Sequence, residues 1–116
     1  MQDYRWSKDE KKKARKIFDD ALRREYDLVI KKVRELANTA ASPPDIWEIH
    51  SYLQDTLKTM NRKYDYRYSQ IIHVFGELLA EGLISESDLE GLSADKVEAI
   101  EKSADAIKSW IVKYSP

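Results

Sequence analysis

The sequence predicts an all-α fold, with one long N-terminal helix followed by four shorter helical segments. Apolar residues recur three and four positions apart along most of the chain, which is the spacing of amphipathic helices. Only three glycines and three prolines occur in 116 residues, too few turn formers for a multi-stranded sheet. The length suits a single domain over residues 1–116, and 42% hydrophobic residues allow one modest core.

Ser7 and Glu10 match a capping box, so we expect the first helix over residues 8–39. At 1.5 Å per residue this helix reaches on the order of 48 Å, which is longer than a compact domain of this size is wide. Part of its apolar stripe must therefore find cover outside its own fold.

Pro43 and Pro44 end the first helix and suit the first turn of a second one, with Ser42 as its cap and Asp45 three residues further on. The second helix carries a narrow stripe with the spacing of coiled-coil seams, namely Ile46, Ile49, Leu53, Leu57, Met60 and Tyr64. We expect a turn or kink near residues 61–65, where residues of low helix propensity cluster, and one continuous helix is the alternative.

Gly82 suits the position just after a helix, and this closes a segment over about residues 66–81. Ser85 with Asp88 predicts a short helical turn, and Ser93 caps a last helix. The stripe of that helix consists of Val97, Ile100, Ala104, Ile107 and Ile111, widened by Trp110 and Tyr114 near its end.

Composition argues against several classes of function. The absence of cysteine excludes disulfides, thiolate metal sites and a cysteine nucleophile. His50 and His73 lack metal-ligand spacing, and no Gly-rich phosphate loop or nucleophile elbow occurs, so we expect no metal, no cofactor and no enzymatic activity. Without a signal-like or membrane-spanning apolar run, we expect a cytoplasmic protein.

Charge is distributed unevenly along the chain. Residues 1–37 hold 12 Lys/Arg against 8 Asp/Glu, while residues 38–116 hold 8 against 13. The basic run over residues 11–16 could be a nucleic-acid or membrane patch, or the solvated face of a helix. We favour the solvated face because acidic residues flank the run and would weaken phosphate contacts. We therefore expect no nucleic-acid partner.

Two aromatic groups are candidates for recognition. Trp47 has His50, Ser51 and Gln54 at helical spacing beside the apolar stripe, and such a tryptophan either anchors a protein interface or covers the edge of the core. Residues 63–68 hold three tyrosines and two cations, which suggests either a recognition surface or a helix junction held by tyrosine hydrogen bonds and Arg67 stacking. We favour the junction.

Taken together, these segments resemble the fluorescence recovery protein family of cyanobacteria and its relatives in other bacteria. The resemblance rests on an ordered set of residues along nearly the whole chain: Trp6, Ser7, Glu10, Ala14, Phe18, Arg24, Glu25, Asp45, Ile46, Trp47, His50, Leu53, the runs 63–69 and 71–75, Glu81, Gly82, Asp88, Leu89, Gly91, Leu92, Asp95 and Lys96. No single piece is decisive, but the order and spacing of the set are fairly specific.

The resemblance implies a homodimeric, cofactor-free regulator that binds the photoactivated orange carotenoid protein, mainly on its C-terminal domain, and speeds its return to the dark-adapted form. The family dimer joins the first helix to the start of the second. This implies a subunit interface at Leu28, Val29, Val33, Leu36, Ile46, Ile49 and Leu53.

The implied partner surface comprises Trp47, His50, Ser51, Gln54, Leu57 and His73. Trp47 and His50 match the tryptophan and histidine of the family. Ser51 and Leu57 depart from it, since the family typically has an acidic residue and a basic residue there, and His73 replaces a frequent aromatic residue. These departures leave open a divergent member with the same dimeric fold and a different protein partner.

Overall fold

The computed structural model describes residues 4–114, and that range is all-α. Four α-helices and one 3₁₀ turn follow one another in the order α1 (Lys8–Thr39), α2 (Pro43–Lys63), α3 (Ile71–Ala80), the 3₁₀ turn (Glu86–Leu89) and α4 (Ala94–Tyr114). The predicted fold class, with one long helix and four shorter helical pieces, is confirmed.

The helix ends lie where the sequence placed their caps. The Ser7 hydroxyl accepts from the N–H of Glu10 at 3.1 Å, and the Glu10 carboxylate accepts from the N–H of Ser7 at 3.2 Å, so the capping box of α1 is confirmed. Asp45 and Asp88 likewise accept hydrogen bonds from the backbone N–H groups that precede their helices, at 2.8 Å in each case. Gly82 ends α3 with a φ of +76°, a conformation that favours glycine.

The junction between α2 and α3 differs from the prediction in length. Residues 64–70 are not helical, so the alternative of one continuous helix is wrong, and α3 begins at residue 71 rather than 66. Tyr64 donates to Glu25 at 2.7 Å, while the Tyr66 ring meets Phe18 edge-on at 4.9 Å, so both tyrosines reach α1. Residues two apart on a helix point in different directions, and only a non-helical chain lets both tyrosines face α1.

The core lies between α3, the first half of α4 and the first half of α1. Within the described residues, α1 buries only Ala14, Ile17, Phe18 and Ala21. These pack with Ile71, Val74, Phe75, Leu78, Leu83, Ile84, Leu89, Leu92 and Ile100. Gly76 brings α3 and α4 close together, because a Cβ at this position would lie 2.5 Å from the Cβ of Ser103.

Side-chain contacts at both ends of the core join α1 to the other elements. Near the start of α1, Glu10 pairs with Lys96 of α4 at 3.1 Å. The backbone carbonyl of Lys11 accepts from the hydroxyl of Tyr66, which precedes α3, at 3.5 Å. At the other end of the core, Lys63 joins Glu25 of α1 to Glu81, which follows α3.

Beyond the core, α1 and α2 form a hairpin that we call the distal hairpin, residues 22–59. None of its residues, all within the described part of the chain, is buried. The Cα radius of gyration is 16.8 Å, against roughly 13 Å for a compact domain of this length. The long axis measures 53 Å, so the hairpin makes the molecule elongated.

Candidate protein-binding surface

The distal hairpin exposes large apolar side chains along α2. Trp47 is 65% exposed, Ile46 58% and Leu57 59%. The rings of Trp47 and His50 meet edge-on with centroids 6.2 Å apart. We call Trp47, His50, Ser51 and Gln54 the Trp47 patch, and all four are exposed. The interpretation that Trp47 covers the edge of the core does not fit, because the core lies at the other end of α2.

A buried cation connects the distal hairpin to the core. Lys63, at the end of α2, is 2% exposed, and its Nζ lies 2.7 Å from a carboxylate oxygen of Glu25 and 2.9 Å from one of Glu81. Tyr64 adds a hydrogen bond to Glu25 at 2.7 Å. This cluster joins α1, α2 and the end of α3, so it sets the position of α2 relative to the core.

Two members of this cluster, Lys63 and Tyr64, have raised pKa values. Burial alone would lower the pKa of Lys63, but hydrogen bonds to Glu25 and Glu81 raise it above its usual value. Burial and the neighbouring Glu25 carboxylate raise the pKa of Tyr64. The lysine is therefore charged and the tyrosine neutral around pH 7.

A second buried lysine holds α4 against the start of α1. Lys96 is 3% exposed and lies 3.1 Å from both oxygens of Glu10, with its Nζ also 4.9 Å from the centroid of the Trp6 ring. Burial would raise the pKa of Glu10, but hydrogen bonds from the backbone N–H groups of Ser93 and Ser7 and from Lys96 lower it to about 2. The capping residue of α1 thus also orients α4.

Sequence reasoning missed both lysine clusters. In the sequence, Lys63 stands out only as one member of the tyrosine-rich run 63–68. Lys96 stands out only as one of the residues that resemble the family. A lysine at a core position of an amphipathic stripe, with glutamates elsewhere to pair with it, was the available signal. The pairing is non-local, since Lys63 lies 38 positions after Glu25 and Lys96 lies 86 positions after Glu10, so spacing could not reveal it.

The other two proposed partner-binding residues, Leu57 and His73, lie on different helices. Leu57 lies on α2 and continues the stripe of Ile46 and Leu53 toward the core. His73 is exposed on α3, one turn from Glu77, which pairs with Arg62 at 2.9 Å. Fifteen residues separate Trp47 from Arg62, or roughly 22 Å of helix. Within one chain, His73 therefore lies apart from the Trp47 patch.

The residues proposed for a subunit interface lie together on the distal hairpin. Leu28, Ile46 and Leu53 are 57%, 58% and 41% exposed. The remaining four are half-buried between the helices or at their edges: Val29, Val33, Leu36 and Ile49. All seven lie where this chain provides too few neighbours to bury them.

The tyrosine-rich segment behaves as a junction, with one correction. Tyr64 and Tyr66 hold α1 as described above, but the cation over the Tyr66 ring is Arg15, 4.6 Å from its centroid. Arg67, which was expected to stack on a tyrosine of this segment, instead pairs with Asp65. The basic run of α1 makes similar local contacts, since Lys16 pairs with Asp20 at 2.7 Å, one turn along an exposed face.

The described residues offer neither a metal-ion site nor a membrane-spanning helix. Among residues 4–114, no group of three or more His, Asp or Glu side chains is arranged to hold a metal ion. None of the helices in that range is both long enough and apolar enough to cross a membrane.

Comparison with known proteins identifies the chain. Residues 6–104 match the model of the photoprotection regulator fluorescence recovery protein family. The fluorescence recovery protein of Synechocystis sp. PCC 6803 is 36% identical over 99 residues, which are 85% of this chain and 91% of that protein.

Solved structures agree with that match. The structure of the Synechocystis protein superposes with a TM-score of 0.84 at 36% identity, covering 87% of this chain and 99% of the other. The Fremyella diplosiphon protein gives a TM-score of 0.84 at 33% identity with the same coverage.

The fold and these matches define an all-helical regulatory protein with a protein-partner role. This chain belongs to the photoprotection regulator fluorescence recovery protein family.

Proposed function

We propose that this protein acts as a homodimer that binds the photoactivated orange carotenoid protein, mainly on its C-terminal domain, and accelerates its return to the dark-adapted form. The observation that carries the proposal is Trp47, which is 65% exposed on a helix with no core beneath it. A large aromatic side chain held in solvent on a rigid helix is typical of the residues that dominate binding energy at protein interfaces.

The distal hairpin provides the area that such an interface needs. In the proposed dimer, Ile46 and Leu53 face the second subunit, and Trp47, one position along the helix, points about 100° away from Ile46. The Trp47 patch then lies at the rim of the subunit interface, accessible to a partner. The Lys63 cluster keeps α2 in place when the partner binds.

The mechanism is selective binding to one conformational state. A protein without catalytic groups speeds the return of its partner only if it binds the transition state for domain reassociation more tightly than the open state. The Trp47 patch would bind this transition state more tightly if it held one domain of the carotenoid protein in the orientation needed for reassociation with the other domain. About 1.4 kcal/mol of such differential binding gives a tenfold acceleration.

The test is the rate of red-to-orange conversion of photoactivated orange carotenoid protein in darkness, with increasing amounts of this protein. We expect acceleration by the wild-type chain and loss of most of it on Trp47→Ser. Trp110→Ser is the matched control, because Trp110 is 63% exposed on α4 and lies outside the patch. No acceleration by the wild-type chain at high excess would reject the proposal.

A second candidate keeps the fold and changes the partner. Ser51 and Leu57 stand where the family typically has an acidic and a basic residue, and Leu57 is 59% exposed. An apolar residue in place of a cation extends the apolar stripe of α2 and removes a charge that a partner would pair with. Under this hypothesis the chain regulates a different protein.

The same conversion assay separates the two candidates. If the partner differs, Ser51→Asp with Leu57→Arg should create or strongly increase binding to the carotenoid protein, because it restores two complementary charges. If the wild-type chain already accelerates conversion, and the double variant leaves affinity unchanged, the second candidate is rejected.

A further inference from the structure

The last turns of α4 extend beyond both the core and the region shared with the family. Ala104 is the last buried residue of α4 in the described chain, and the family match also ends at residue 104. The helix nevertheless continues to Tyr114. We call residues 105–114 the α4 tip. Packing within this chain half-buries Ile107 but leaves the other large apolar side chains of the tip exposed.

One face of the α4 tip is apolar and open. At 100° per residue, Ile107, Trp110, Ile111 and Tyr114 fall within an arc of about 100°. Trp110, Ile111 and Tyr114 are 63%, 47% and 60% exposed. The Trp110 and Tyr114 rings lie against each other with centroids 5.2 Å apart, so the stripe has an aromatic end.

The charged residues of the α4 tip are also ordered around the helix, with lysines at the edges of the apolar stripe. Lys108 and Lys113 lie about 110° to either side of the centre of the stripe, at its two shoulders, whereas Asp105 lies about opposite it. Lysine stems at such positions cover apolar surface while their ammonium groups reach outward. An apolar stripe with tryptophan and tyrosine, bordered by lysines, is the pattern of helices that lie in the interface of a bilayer.

A second copy of this chain is a poorer occupant of the stripe. Four side chains on two turns offer a few hundred Å² at most, short of the ~800 Å² per partner in a standard interface. In a two-fold contact between tips, the lysine shoulders of the two copies would also face each other. Anionic lipid headgroups would instead neutralise these lysines.

We propose that the α4 tip binds the surface of an anionic lipid bilayer. Trp110, Ile111 and Tyr114 enter the boundary between headgroups and acyl chains, and Lys108 and Lys113 contact the phosphates. Because the stripe is only two turns long, the attachment is peripheral and reversible. It would hold the distal hairpin near a membrane without a spanning segment.

The test is co-sedimentation of the full chain with vesicles of phosphatidylcholine, with or without phosphatidylglycerol. We expect binding only to vesicles that contain phosphatidylglycerol, weakened by added salt. Trp110→Ser should lower the partition coefficient by about tenfold or more. Trp47→Ser, which removes a tryptophan of equal exposure at the other proposed site, should leave it unchanged.

A charge variant tests the lysine shoulders separately. Lys108→Gln with Lys113→Gln should lower partitioning to anionic vesicles by about 25-fold. Both positions are on the surface, so circular dichroism should show unchanged helix content.

The proposal is overturned if the wild-type chain does not sediment with anionic vesicles, or if Trp47→Ser reduces binding as much as Trp110→Ser. A change of oligomeric mass in Trp110→Ser would instead assign the tip to a subunit interface and would overturn it too.

Discussion

At the residue scale, two lysines in the interior hold the elements together. Lys63 and Lys96 are 2% and 3% exposed, and a buried ammonium group without a partner is strongly unfavourable. Each is matched by carboxylates from another element, Glu25 and Glu81 for Lys63 and Glu10 for Lys96. Through these pairs, α2 and α4 are each joined to α1.

The first prediction concerns Lys63→Met, which keeps the length of the side chain and removes its charge. Glu25 and Glu81 then lose their common partner, and we expect the free energy of unfolding to fall by roughly 1–3 kcal/mol. Arg62→Met is the control. Arg62 pairs with Glu77 but its side chain is 61% exposed, so its loss should change stability by less than about 1 kcal/mol. Urea unfolding at one fixed protein concentration measures the free energy of unfolding of both variants. Equal losses in Lys63→Met and Arg62→Met would contradict the role of Lys63 in joining the helices.

The pH dependence of the same variant has a definite sign. Although burial opposes it, hydrogen bonds to Glu25 and Glu81 raise the pKa of Lys63 above its usual 10.5. Its contribution to stability is therefore complete below pH 10.5 and disappears as pH rises through the raised pKa. The stability difference between wild type and Lys63→Met should shrink only above pH 10.5. A difference that already shrinks around pH 8 would show that the lysine is not charged in the native state.

At the element scale, helix length and helix burial are different properties. α1 is one uninterrupted helix, yet its buried residues, among those described, end at Ala21. α2 also has few contacts with the core, since of its described residues only Met60 and Lys63 are buried. In contrast, α3 is short and buries half of its length because α1 and α4 flank it. Close contact between α3 and α4 depends on Gly76.

The second prediction is that Gly76→Ala destabilises the protein. Helix propensity alone would make alanine more stable than glycine by about 1 kcal/mol. A Cβ at residue 76 would, however, lie 2.5 Å from the Cβ of Ser103, and overpacking of this kind typically costs about 1–3 kcal/mol. Thermal unfolding should show a lower midpoint for the variant. Ser103→Gly in the same chain removes the clash and should recover part of the loss, whereas a stabilised single variant would contradict the packing described here.

At the scale of the whole molecule, the chain is an elongated body with a core at one end. Its long axis is 53 Å and its radius of gyration 16.8 Å, because the distal hairpin extends from the core without a third helix to cover it. Leu28, Ile46 and Leu53 remain exposed there, each to more than 40%. A second copy laid against this hairpin would bury the stripes of both chains, and this is the physical case for the proposed dimer.

The third prediction therefore concerns subunit association. At micromolar concentration, sedimentation equilibrium should report twice the 13.6 kDa of one chain. Ile46→Lys places a charge in the proposed interface and should shift the protein toward monomer. Val112→Lys is the control, since Val112 is 82% exposed on α4, and it should remain dimeric. A wild-type monomer, or equal dissociation by both variants, would reject the proposed interface.

Local features were the ones that could be predicted. The start and end of α1, the cap at Ser42, the turn at Ser85 and the glycine at 82 depend on residues within one or two turns of each other. Helix periodicity and capping are local, so their physical causes are visible in a short window of sequence. The break after Lys63 was predicted for the same reason, because low-propensity residues cluster there.

Features that depend on distant residues could not be predicted. Periodicity showed that α1 has an apolar stripe, but burial of Phe18 and exposure of Leu28 depend on where α3 and α4 pack. The non-helical segment before Ile71 exists because Tyr64 and Tyr66 both bind α1, and the core position of Lys63 depends on Glu25, 38 residues earlier. Local spacing established the helices and their apolar stripes, while contacts between distant residues determined which apolar faces this chain buries and which it leaves exposed.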